Sequence, residues 1–198
     1  MISREGIAPV VVAVAVSVAA LHYLGPVLSV PFWALAILMV VLFRDPERDI
    51  PSQPLAVVSP ADGTVSEVMA AYDPYLQRQS IQVRIQMLPY GVYITRSPIE
   101  GKVLEPPNLP AGEAAPHGVW LQSDEGDDVV MVMTRGRFRN EPRCYVQFGE
   151  RTGQGKRCGF VHLGGLVDLY LPENSRMTVK EGDRVQGGSD IIAKLVHA

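Results

Sequence analysis

Ile81-Gln82-Val83-Arg84-Ile85-Gln86 alternates apolar and polar residues without a break. A period of two sends successive side chains to opposite faces, so this run predicts a half-buried strand with Gln82, Arg84 and Gln86 outward. From about residue 55 onward the chain keeps the same character, with short β-branched or alternating runs separated by Gly, Pro and Asp. Strands are predicted over 56–59, 64–69, 81–86, 91–95, 119–122, 129–134, 144–148, 158–162, 167–171 and 191–196. No long window shows a helical period, and the fold class that follows is mainly β.

The first fifty residues differ. Residues 7–24 are apolar apart from Ser17 and His22, and residues 27–43 are apolar apart from Ser29. Each run spans roughly 26 Å as a helix, close to the hydrocarbon thickness of a bilayer. Gly25-Pro26 separates them, which predicts an α-helical membrane hairpin, spanning or re-entrant. A cleaved signal peptide fits less well, because a second apolar run follows and no small-residue cleavage site lies between. Arg4 before the hairpin and Arg44 and Arg48 after it favour both ends on the cytoplasmic side of the cell (inner) membrane. The expected organisation is a hairpin and juxtamembrane segment over 1–50 and a β-rich domain over 51–198.

Composition narrows the function. In 198 residues with a formal net charge of -3 there is no general basic face for nucleic acid. Arg135, Arg137 and Arg139 would share one strand face, read either as a solvated surface or as a contact for anionic lipid headgroups. Cys144 and Cys158 stand at no metal-ligand spacing, and with His162 they still lack a fourth ligand, so no metal is expected. Two thiols suit a reduced compartment better than a disulfide scaffold.

Several motifs then occur in order: Phe43-Arg44-Asp45-Pro46-Glu47-Arg48, Val58-Ser59-Pro60-Ala61-Asp62-Gly63, Thr95-Arg96-Ser97-Pro98 leading to Gly101-Lys102-Val103, Cys158-Gly159-Phe160, and His162-Leu163-Gly164-Gly165-Leu166-Val167-Asp168-Leu169-Tyr170-Leu171-Pro172. The chain closes on a Gly-rich run from Met177 to Ala193 that looks like the last turn of a barrel-sandwich module. Biotinyl and lipoyl carriers use such modules, but no lysine-bearing hairpin tip is present here. In this order and spacing the motifs resemble the short, bacterial and archaeal type of phosphatidylserine decarboxylase proenzyme over nearly the whole chain. The resemblance implies a barrel-sandwich-like β body behind the membrane hairpin, and a place in phospholipid metabolism as a carboxy-lyase.

In active members, the resemblance implies, the proenzyme cuts itself at a Gly-Ser bond, and the serine becomes a pyruvoyl group on the new chain. That ketone takes the amine of phosphatidylserine as a Schiff base and accepts the electrons released with CO2, leaving phosphatidylethanolamine. Here the matching bond is Gly164-Gly165, and glycine has neither the hydroxyl to form the ester nor the β-carbon to eliminate. No pyruvoyl cofactor is expected from Gly165. Where the family carries a histidine in Val-His-Val-Asn-Arg-x-Pro, this chain has Tyr93, a poor general base at neutral pH. Asp62 matches the carboxylate that assists self-cleavage, although an Asp before Gly63 also serves a turn. The stretch from Pro107 to Glu113 has no counterpart to the family's Asn-Glu-Arg-Asn-like strand.

Gly188-Ser189, the only Gly-Ser pair in the sequence, would release only ten residues if cut and is expected in a turn. The expected function is therefore a phosphatidylserine decarboxylase-like membrane protein that does not self-process. Its expected partners are membrane phospholipid and oligomers with itself or with an active decarboxylase. The alternatives are an active decarboxylase using an altered route, and a non-catalytic interaction module held at the membrane.

Overall fold

The computed structural model describes residues 3–51, 53–107, 117–134 and 141–196. The chain divides into two compact units, Met1–Glu47 and Arg48–Ala198.

The first unit is one helical element, α1 (Arg4–Leu42), interrupted at Gly25, where φ is 81° and ψ 175°. Glycine alone adopts that conformation without a steric penalty. Pro26 then opens the second arm, where a missing N–H costs nothing because the first helical amides have no partner in any case. The arms run antiparallel, since the Ser3 amide donates to the Phe43 carbonyl at 2.8 Å, joining residues forty positions apart. Gly6, Val10, Ser17 and Ala20 are buried on one arm and Ser29 and Ala36 on the other. Mostly small residues therefore form the seam, which lets two backbones approach closely. The two serine hydroxyls are satisfied within their own helices, Ser17 donating to the Ala13 carbonyl at 2.7 Å and Ser29 to the Pro26 carbonyl at 2.9 Å. Branched side chains such as Val11, Val12, Val18, Leu28, Val30 and Ile37 face outward. By length and composition, with a mean hydropathy of 2.2, α1 is long and apolar enough to cross a membrane.

The second unit is β throughout its described residues. Its strands are β1 (Ala56–Val58), β2 (Gly63–Asp73), β3 (Arg78–Met87), β4 (Ile94–Arg96), β5 (Gly101–Leu104), β6 (His117–Gln122), β7 (Asp128–Thr134), β8 (Arg143–Cys144), β9 (Arg151–Thr152), β10 (Arg157–Phe160), β11 (Leu166–Pro172), β12 (Arg176–Met177), β13 (Arg184–Val185) and β14 (Ile191–Lys194). An antiparallel sheet runs in the order β13-β2-β3-β11-β7-β6-β5-β9, and two three-stranded sheets, β1-β14-β12 and β4-β10-β8, accompany it. Among the described residues the large sheet ends at β13 and β9, so it is open and not a closed barrel.

At its centre β11 pairs with β3 from Leu166 opposite Gln86 to Pro172 opposite Ser80, and with β7 on its other side. Val83, Ile85, Val167, Leu169, Leu171, Val129, Met131 and Met133 point inward and are essentially inaccessible. Val57, Ile192, Ala193, Cys158 and Val161 from the small sheets and their loops join the same core. The alternation of β3 persists, with Gln86 exposed and Arg84 partly so, but Gln82 is buried at 7% exposure. A second apolar cluster on the outer face explains this departure: Tyr75, Val130 and Val132 pack there with Trp120 and Tyr170, and Tyr170 stands directly opposite Gln82.

Other differences from the sequence reading have local causes. The strand expected at 91–95 starts at Ile94, because Pro89 cannot donate and Gly91 folds back to the Leu88 carbonyl at 3.1 Å. The strand expected at 144–148 is only Arg143–Cys144, since the chain turns at Gln147 to Glu150. The strands β5, β9, β12 and β13 are two to four residues long, too short to display a period in the sequence.

Truncating Leu169, at 0% exposure in the central strand, leaves a cavity that its pinned neighbours cannot fill. Leu169→Ala is expected to lower the stability of the β body by about 2–5 kcal/mol, read from denaturant unfolding followed by circular dichroism. Gly25→Ala places a Cβ in a glycine-only conformation at a cost of roughly 1–3 kcal/mol. Spin labels at Ile7 and Val41 should give one short distance in the unaltered hairpin and a broadened, longer distribution in the variant. An unchanged distribution would show that the reversal does not depend on Gly25.

Candidate functional site

Between β10 and β11 the backbone makes a tight left-handed turn, with Leu163 at φ 56° and Gly164 at φ 78°. A leucine in that region is strained, so the surrounding contacts must hold it there. Gly164 is buried, and a β-carbon on it would lie 3.0 Å from the Met87 carbonyl oxygen and 3.1 Å from that of Leu88. Gly165, half-buried, accepts a hydrogen bond through its carbonyl from the Met87 amide at 2.9 Å. Met87 pairs on its other side with Gly63. Gly63, Met87 and Gly165 thus form one row across β2, β3 and β11, about 10 Å from end to end at the usual strand spacing.

Asp62 is one residue beyond that row. Its carboxylate is engaged on both oxygens: Oδ2 accepts from the Arg48 guanidinium, and Oδ1 accepts from the Gly187 amide at 2.7 Å. Arg48 also donates to the Gln186 side chain at 3.2 Å. The motif ending in Arg48 and the motif containing Asp62 are therefore joined by a charge-assisted contact, the strong class of hydrogen bond.

Tyr93 is 1% exposed and packs edge to face on Phe160, with ring centroids 5.9 Å apart. Its hydroxyl donates to the Pro89 carbonyl, and its own carbonyl accepts from the Val161 amide at 2.8 Å. Burial raises its phenol above the ordinary value, so the ring stays neutral at physiological pH. His162 continues the stack against Phe160 at 4.7 Å. Tyr93 thus ties together the two segments, 88–91 and 160–163, that flank the Gly164-Gly165 turn.

Beside the turn, on the outer face of β2, β3 and β11, lies a depression of about 580 Å³. Ser66, Glu67, Arg84, Gln86 and Pro89 line it together with the turn itself, whereas Asp62 and Tyr93 do not. A β-bulge at Ser66 shifts the register of β2, which brings Glu67 opposite Arg84 on the outer face. Arg84 donates to Asp168 at 2.7 Å through Nε and to Glu67 at 2.7 Å through Nη1. Hydrogen bonding to Asp168 holds its guanidinium still more firmly charged. Sequence reasoning passed over this triad, although two signals pointed to it: Arg84 is the one charged residue in the run 81–86, and Asp168 interrupts an apolar strand.

The remaining expectations fall as follows. Cys158 is buried and its thiol is pushed up to about 12 by desolvation, which leaves it unreactive, while Cys144 lies at the surface. Residues 108–113 of the stretch after Pro107 lie outside the described residues, as do Arg135, Arg137 and Arg139. A self-derived pyruvoyl group does not fit the residue at the junction, because Gly165 supplies no side-chain oxygen and no β-carbon. Gly164, Gly165, Asp62 and Tyr93 are brought to one corner of the sheet, with Asp62 and Tyr93 committed to hydrogen bonds of their own.

The family model described as phosphatidylserine decarboxylase matches residues 35–193. A phosphatidylserine decarboxylase proenzyme of Burkholderia multivorans is 35% identical over 98% of this chain and 96% of its own length. One from Burkholderia pseudomallei is 36% identical over 98% of this chain and 95% of its own length. With a match over most of the body and relatives that align from end to end, the chain belongs to the phosphatidylserine decarboxylase family.

Proposed function

We propose that this chain is a membrane-anchored member of its family that stays in one piece and handles phospholipid by binding it, without pyruvoyl chemistry. One observation carries the reading. At the turn where the resemblance puts self-cleavage, the chain presents two successive glycines, and Gly165 is held by its carbonyl on the Met87 amide at 2.9 Å. Gly165 brings no nucleophile of its own, and two hydroxyls near the turn are engaged elsewhere, Tyr93 donating to the Pro89 carbonyl and Ser66 to the Arg84 carbonyl at 3.2 Å. Asp62 is occupied by Arg48 and the Gly187 amide and serves as a structural tie.

The apolar hairpin supports anchoring in a bilayer, and Arg4, Arg44 and Arg48 support a cytoplasmic placement of the β body. Phospholipid is the natural partner of a protein built this way, because such a ligand is presented at the surface in which the hairpin sits.

Mass spectrometry of the purified protein tests the reading directly. A single species at 21.6 kDa is expected, and carboxyl-labelled phosphatidylserine in mixed micelles should release no CO2 above background. Two fragments, one with a blocked amino terminus, would overturn the proposal. Gly165→Ser restores a hydroxyl at the junction but leaves Asp62 bound to Arg48 and Tyr93 bound to Pro89. The variant is expected to remain uncut over hours at neutral pH by gel and mass analysis, and its cleavage would show that the rest of the maturation machinery is intact.

A further inference from the structure

Strand β2 has one long side that no strand covers. It pairs with β3 from Gly63 opposite Met87 to Asp73 opposite Arg78, apart from the bulge at Ser66. On its other side β13 meets it at Gly63 and Thr64, and the loop before β13 bonds Val65 through Gly182 and Asp183. The last contact on that side is the Val68 amide, which donates to Glu181 Oε1 at 3.5 Å. Backbone groups alternate sides along a strand, so the amides and carbonyls of Ala70 and Tyr72 point the same way as those of Val68. The Ala71 carbonyl points the other way, toward β3, and accepts from the Ser80 hydroxyl at 2.9 Å. Among the described residues nothing pairs with the outward groups of Ala70 and Tyr72.

The side chains leave this edge unguarded. An open strand edge is a template for pairing with another chain, and proteins blunt it with charges, prolines or very short strands. Strands β13 and β9, the ends of the large sheet, follow that rule, each being two residues long with an arginine. Val68-Met69-Ala70-Ala71-Tyr72 carries no charge, proline or glycine, and Met69 and Tyr72 are 45% and 55% exposed. Met69 and Ala71 share one face of the strand and Ala70 and Tyr72 the other, so the edge is apolar on both.

We propose that this edge pairs antiparallel with the same edge of a second copy of the chain, with Ala71 on the two-fold axis. In that register Ala70 of each copy lies opposite Tyr72 of the other, and the two residues satisfy each other's outward amide and carbonyl. Neighbouring registers fail for local reasons. Centring the axis on Met69 or Ala70 calls on the Val68 amide, which Glu181 holds, and an axis at Ala70 also sets Glu67 against Asp73. An axis at Tyr72 sets Ala70 opposite Pro74, which has no amide to give. A strand from another protein would cover one open edge, whereas the two-fold covers both at once and leaves none for a third chain.

The test uses the full chain in detergent, where native mass spectrometry at micromolar concentration is expected to show a species at twice 21.6 kDa. Cys144→Ser first removes the exposed thiol. In that background Ala71→Cys should form an intermolecular disulfide under mild oxidation, because residues opposed at a non-hydrogen-bonded position have Cα atoms about 4.5 Å apart, within disulfide reach. Ala70→Cys faces tyrosine and should crosslink roughly tenfold less. Ala70→Pro removes an amide that points away from β3, so the β2–β3 ladder stays intact while the dimer dissociation constant rises roughly tenfold or more. Tyr72→Lys guards the edge with a charge, leaves the backbone unaltered and should weaken the dimer in the same way. A chain that stays monomeric, equal crosslinking at positions 70 and 71, or a dimer as tight in Tyr72→Lys as in the unaltered chain would overturn the proposal.

Discussion

The in-register ladder between β3 and β11 fixes everything that surrounds the candidate site. Seven residue pairs from Ser80 and Pro172 to Gln86 and Leu166 align without a slip, and the Met87 amide extends the ladder to the Gly165 carbonyl. A shift of one residue would send Val83, Ile85, Val167 and Leu169 to solvent and draw Arg84 and Asp168 into the core, so the register is specified by burial on one face. The same ladder sets the outer face, where Arg84 reaches Asp168 on one neighbour and Glu67 on the other. Core and polar surface are two sides of one pairing.

Of this arrangement, the sequence displays what depends on period and punctuation. The alternation of 81–86, the β-branched run from Val129 and the apolar residues around Asp168 are strong local signals, and they become β3, β7 and β11. Gly25-Pro26 announces the helical reversal because each residue has a backbone reason to be there. Edge strands such as β9 and β13 were not legible, since two residues carry no period and their pairing comes from neighbours distant in sequence. The burial of Gln82 depends on Tyr75 folding back from the β2–β3 loop, where Asp73 accepts from the Tyr75 amide at 2.8 Å. No window around Gln82 contains that information.

The site was legible in part for the same reason. Gly164, Gly165, Asp62 and Tyr93 were singled out by motif, and the fold brings the segments bearing them to one corner through the row Gly63, Met87 and Gly165. What those side chains do instead is a tertiary matter. The Arg48 contact to Asp62 and the Tyr93 contact to Pro89 span fourteen and four positions and involve a loop whose course only the folded chain defines. The Glu67–Arg84 pair owes its alignment to a bulge at Ser66, and a single extra residue in one strand leaves no pattern that a period of two would reveal.

The hairpin's two ends meet at Ser3 and Phe43, and the stretch from Leu21 to Leu28 at its tip holds no Asp, Glu, Lys or Arg. An apolar phase could take up such a tip without desolvating an ionised Asp, Glu, Lys or Arg side chain, which is the costly step in moving a polypeptide into hydrocarbon.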